Sequence, residues 1–161
     1  MKILELYCHN IILKQISKQK NVMYFIIFLI LKLLIGFITS IVATYIDPTS
    51  TQNPIENYGL AFDIIVSLFL APLIEVLIFQ LLVIELLIKI KTNINPVFII
   101  STSALLFGIS HNYNILYMGA TTISGFIYAI YYYKLRNQGK SNSYLLVSGL
   151  HSLSNLPSVF M

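Results

Sequence analysis

Glu75, His111, His151 and Asn155 lie within or at the ends of apolar runs long enough to cross a membrane. An ionisable group at the centre of a span costs about 2.5–3.5 kcal/mol on insertion scales, so each needs a partner, a proton or a water-filled cavity. Glu75 is the deepest. It precedes Lys89 by 14 residues, or ~21 Å along a helix axis. Two histidines and a glutamate on three helices can converge in a bundle core and do two kinds of chemistry. A desolvated glutamate has a raised pKa and can act as a general base, with one histidine sharing the proton. The second histidine and an asparagine amide can hold an oxyanion. Alternatively, Glu75, His111 and His151 form a zinc site with an open position for water. The structural alternative is that these residues join helices through interhelical hydrogen bonds.

The elements that carry them are helices in lipid. Of the 161 residues, 57% are hydrophobic and 10% are charged, with a mean hydropathy of +0.81. A soluble domain of this size could not cover its surface with so few charges. The expected fold is all-α: one polytopic membrane bundle over residues 1–161, with about five transmembrane helices. The spans are expected at about 22–46, 60–90, 96–111, 115–133 and 144 to the end. Residues 1–21 carry Lys14, Lys18 and Lys20 beside Ile11, Ile12 and Ile16, which suits an N-terminal interfacial helix on the cytoplasmic side. His9 reads there as an exposed histidine. Cys8, the single cysteine, reads as an inert thiol. Pro72 predicts a tilt or break in the second span.

The net charge of +4 does not indicate nucleic acid, because its ten Lys and Arg residues are spread in short groups between apolar runs. Those groups alternate between successive loops, which predicts an N-terminus inside and a C-terminus outside. Tyr131, Tyr132 and Tyr133 beside Lys134 read as an inner aromatic belt. Glu85 and Lys89 are four apart and read as a helix-surface pair. Asp63 reads as a cap or interface residue, and Lys32 as snorkelling or facing the bundle.

Three stretches carry a family resemblance. Ala71-Pro72-Leu73-Ile74-Glu75-Val76-Leu77-Ile78-Phe79-Gln80 resembles the first motif, A-P-x-x-E-E-x-x-F-R, of the CAAX protease and bacteriocin-processing family, also called the Abi or type II CAAX prenyl endopeptidase family. Phe107-Gly108-Ile109-Ser110-His111 resembles its second motif, F-x-x-x-H. His151-Ser152-Leu153-Ser154-Asn155 resembles its third, H-x-x-x-N. Gly125-Phe126-Ile127-Tyr128 sits where the family has a glycine-containing helix. The resemblance covers about residues 60–157.

It implies an intramembrane endopeptidase acting on a membrane-associated peptide or protein, with bacteriocin immunity or peptide processing as the setting. Glu75 and His111 would activate water, and His151 and Asn155 would bind water and the oxyanion. The implied partners are the lipid bilayer and a peptide substrate. No cofactor is required by the glutamate mechanism, and zinc is the metal alternative. Isoleucine-, lysine- and asparagine-rich usage points to a low-GC bacterium and its plasma membrane. Two positions depart from the pattern: Val76 replaces the second Glu and Gln80 replaces the Arg. Losing both together leaves no lone buried charge. The competing expectations are a catalytically silent binding or immunity protein and a small transporter or proton pathway. By depth, His151 is the outlier. It lies ~7 residues past Tyr144, or ~11 Å, against ~23 Å for His111 above Pro96.

Overall fold

The structure is a computed structural model that describes residues 2–48, 59–90 and 93–160; within 2–19 it describes the backbone alone. Cys8 and His9 therefore fall outside the described side chains. Five helical segments follow one another: α1 (Lys2–Ile46), α2 (Leu60–Ile90), α3 (Pro96–Ile109), α4 (Ile115–Asn137) and α5 (Ser143–Phe160). Among the described residues there is no strand. The protein is an all-helical integral membrane bundle.

Three segments are long and apolar enough to cross a bilayer by themselves: Lys20–Ile46, Leu60–Ile90 and Ile115–Asn137. The third and fifth expected spans are present as α3, an apolar helix of 14 residues, and α5, of 18 residues. They are the shorter elements, and α5 is rich in serine; both are packed against the longer helices. The helix expected over 1–21 is continuous with the first span, because α1 runs 45 residues without a break. Val22, Ile30, Phe37, Ile41, Leu70, Ile74 and Leu86 are all exposed. In water these side chains would carry a large transfer penalty; facing lipid they carry none.

α2 does not break at Pro72. Instead it widens into π-helical turns on both sides, at Val66–Leu70 and Val76–Leu82. Proline lacks an N–H and its ring crowds the preceding turn. Widening relieves that crowding and is common at functional sites. Carbonyls freed here are taken up by other helices. Ser152 Oγ donates to the Leu68 carbonyl at 2.6 Å, and Asn155 Nδ2 donates to the Ser67 carbonyl at 2.9 Å. Ser103 Oγ donates to the Phe79 carbonyl at 2.8 Å, in the second wide turn.

The closest helix pair is α3 with α4. A Cβ on Gly108 would lie 2.9 Å from Thr122 Cα, and one on Gly125 would lie 3.0 Å from Ala104 Cα. Glycine at both positions lets the backbones touch. Asn95 caps α3 by accepting from Val97 N at 2.9 Å, with Pro96 in the first turn. Asn114 caps α4 by accepting from Tyr117 N at 2.8 Å. Between α4 and α5 the chain turns at Gly139, whose φ is 68°. The Lys140 N–H bonds to the Leu135 carbonyl there, closing a glycine-dependent C-terminal motif.

Three sequence expectations change. Tyr131 and Tyr132 are core residues, not an interfacial belt, at 0% and 4% exposure. α4 is surrounded, and Tyr131 stacks on Phe28 of α1 with centroids 4.7 Å apart. Glu85 pairs across helices: Arg136 reaches it in a two-pronged bridge at 2.7 and 3.1 Å, and Tyr132 Oη donates to it at 3.1 Å. A planar guanidinium fork suits a carboxylate better than an ammonium does. Asp63 is buried, and among the described residues it caps no helix end. Lys32 is half-buried, and its Nζ lies back toward Gly36.

Candidate active site

Glu75 sits between the two wide turns of α2, at the end of the short α-helical stretch Ala71–Glu75. His111 stands in the tight connection after α3, where its N–H bonds to the Gly108 carbonyl at 3.0 Å. His151 is in the middle of α5 and is 5% exposed. The three converge. Glu75 Oε1 is 3.6 Å from His111 Nε2, and Glu75 Oε2 is 3.6 Å from His151 Nε2.

The depth gap expected for His151 closes because α5 starts inside the bundle. Ser143 is 4% exposed, and the Tyr144 hydroxyl donates to the Leu73 carbonyl at 3.0 Å. α5 is thus tied to α2 only two residues from Glu75.

Phe107 is the hub that aims both imidazoles. Its ring centroid lies 4.7 Å from His111, 5.8 Å from His151, 5.7 Å from Phe79 and 5.8 Å from Tyr128. The Tyr128 ring covers His151 at 4.6 Å. Below it runs a relay: Tyr128 Oη donates to Ser154 Oγ at 2.8 Å, and Ser154 Oγ donates to the His151 carbonyl at 2.8 Å. These contacts hold the imidazole plane without using its ring nitrogens. Tyr128 and Phe107 carry this support. The sequence placed Phe107 in the second motif and Tyr128 in the glycine-containing stretch, and gave neither a role.

The tautomer of His111 follows from its partner. Nδ1 is 2.8 Å from the Phe107 carbonyl oxygen. A carbonyl only accepts, so Nδ1 carries hydrogen and Nε2 turns to Glu75. A neutral His111 then offers Glu75 a lone pair, and the contact is attractive when one proton is held on either partner. The 3.6 Å separation is too long for a direct hydrogen bond. It matches the base of a triangle whose apex is a water touching both groups. Glu75 and His111 are 23% and 15% exposed, so that apex is reachable.

Asn155, the fourth expected site residue, is on α5 one turn beyond His151. One N–H of its amide is committed to Ser67. An oxyanion role would therefore rest on the other. Val76 and Gln80 are both fully buried. Among the described residues, both polar atoms of the Gln80 amide lack a hydrogen-bond partner, as do His151 Nδ1, the Tyr131 hydroxyl and Ser148 Oγ.

Glu75, His111 and His151 are a chemically suitable donor set for zinc. As placed, Glu75 meets the two imidazoles through different oxygens. Among the described residues no three His, Cys, Asp or Glu side chains are gathered closely enough to hold a metal ion.

The family model for the type II CAAX prenyl endopeptidase Rce1-like proteins matches residues 57–157. That stretch holds Glu75, His111, His151 and Asn155 and leaves out α1. No curated protein and no solved structure matches the chain. With the motifs in order over most of its length, the chain belongs to the type II CAAX prenyl endopeptidase Rce1-like family.

Proposed function

We propose that the protein is an intramembrane endopeptidase that hydrolyses a peptide bond in a membrane-associated peptide or protein. The observation that carries this reading is the double approach of Glu75 to His111 and His151, each at 3.6 Å. Water held between Glu75 and His111 loses a proton to the carboxylate as its oxygen attacks the substrate carbonyl. The carbonyl π electrons move onto oxygen. When the C–N bond breaks, that pair returns, and Glu75 delivers the proton to the departing nitrogen. The products are an amine and a carboxylic acid, which then gives up its proton to water. His111 faces Oε1 and His151 faces Oε2, so both orient the base. No step is routed through a metal.

Peptide processing or bacteriocin immunity is the proposed setting. The N-terminus is assigned to the cytoplasm of a bacterial cell, on the alternation of basic loops. The testing experiment is Glu75→Gln in the purified protein, assayed on a quenched fluorescent peptide bearing an S-farnesyl cysteine and on an unprenylated membrane-spanning peptide. Cleavage lost with the fold intact supports the reading; full cleavage by the variant removes it.

A second reading is a silent binding protein. Val76 and the unpartnered Gln80 favour it, since the family's two charges are both replaced. It requires that Glu75→Gln leave any immunity phenotype intact.

A further inference from the structure

On the endopeptidase reading, the developing oxyanion needs a hydrogen-bond donor. Most donors near the site are already engaged, and the second Asn155 N–H is the exception. Tyr128 Oη donates to Ser154, Ser154 to the His151 carbonyl, Ser110 Oγ to the Phe107 carbonyl at 2.7 Å, and Ser152 to the Leu68 carbonyl. His111 Nδ1–H is held by the Phe107 carbonyl, and one Asn155 N–H by Ser67.

Tyr117 is different. It stands in the first turn of α4, half-buried, with its ring centroid 6.0 Å from that of His111. Tyr113 braces the other side edge-on at 5.4 Å. The His111 ring beside it is the one whose Nε2 lies 3.6 Å from Glu75 Oε1. Its hydroxyl makes no hydrogen bond to any described residue. The backbone beneath it is fixed by the Asn114 cap.

We propose that Tyr117 is a catalytic residue whose hydroxyl donates to the substrate carbonyl oxygen as it becomes an oxyanion. The proton stays on the tyrosine throughout. The hydrogen bond strengthens as the carbonyl electrons move to oxygen and relaxes when the C–N bond breaks. An O–H on a ring held in place acts on that charge with less screening than in bulk water. The reading also gives the exposed Tyr113 a place, as the brace of the Tyr117 ring.

The test uses the full chain in nanodiscs with the farnesylated and the membrane-spanning peptides. Tyr117→Phe keeps the ring and both ring contacts. It should lower kcat by about 10²–10³ with little change in KM, the loss expected for one oxyanion donor. Tyr45→Phe, on the exposed face of α1, should keep kcat. If Glu75→Gln is inactive while Tyr117→Phe retains kcat within about two-fold, the Tyr117 assignment falls and the protease reading stands. If Glu75→Gln stays active, the protease reading falls and takes this one with it. If neither peptide is cleaved, the phosphonate analogue of the farnesylated peptide decides. Wild type should bind this tetrahedral anion at least about ten-fold more tightly than Tyr117→Phe. Equal affinity, or no binding by wild type, overturns the proposal.

Discussion

Asn155 of α5 donates its amide N–H to the carbonyl of Ser67 at 2.9 Å, five residues before a proline that has no hydrogen to offer back along α2. One residue further on, Ser152 does the same for Leu68 at 2.6 Å. An α-helical bond to Leu68 and a π-helical bond to Ser67 would both have come from Pro72. The helix that carries His151 thus fills the gap left in the helix that carries Glu75.

Removing either donor should therefore loosen the site from a distance. Ser152→Ala and Asn155→Ala should each lower stability by about 1–2 kcal/mol, the range for stranding a buried carbonyl. Pro72→Ala restores an N–H, so the Ser152→Ala loss should shrink in that background. Thermal unfolding of the four proteins in one detergent measures this coupling; strict additivity would show that the proline gap and the α5 donors are unrelated.

Gly108 should tolerate nothing larger. Alanine there meets Thr122 Cα at 2.9 Å, so a backbone rather than a flexible side-chain end must move. Overpacking of this kind costs about 1–3 kcal/mol, and Gly108 is three positions from His111. Gly108→Ala should lose both thermal stability and cleavage. Gly119, with open space around its Cα, is the control and should accept alanine without loss.

Gln80 should be replaceable at a gain. Its amide is fully buried and unpartnered. Exchange for an apolar side chain of similar volume removes about 1–3 kcal/mol of desolvation penalty. Gln80→Met should raise the unfolding midpoint. A fall of several degrees would mean that the amide has a partner within the bundle.

Chelation should leave cleavage intact. On the proposed reading, Glu75 removes the water's proton and no metal supplies the charge. Incubation with o-phenanthroline is expected to change kcat less than two-fold. Inactivation that added zinc reverses would assign Glu75, His111 and His151 to a metal instead.

Much of the molecule was legible along the chain, because lipid imposes strong local rules. Length and apolar run placed the helices. The cost of burying charge singled out Glu75, and motif order tied it to His111 and His151. Rotation and neighbour were not legible. Glu85 was equally well served, in one dimension, by Lys89 four residues away; only packing brought Arg136, 51 positions on, into a two-pronged bridge. The three tyrosines before Lys134 look alike in sequence, yet α4 turns Tyr131 and Tyr132 into the core, Tyr131 against Phe28 of α1 and Tyr132 toward Glu85 of α2.

The sequence by itself determined that this is a helical membrane protein with a family's acid and histidines in order, since hydropathy, spacing and motif are properties of the chain. Tertiary structure alone decided that Glu75 touches both histidines, that α5 begins deep enough to allow it, and that Asn155 and Ser152 fill the gap at Pro72. Those facts depend on which backbone carbonyls a proline frees and which foreign side chain reaches them, and no local pattern records either.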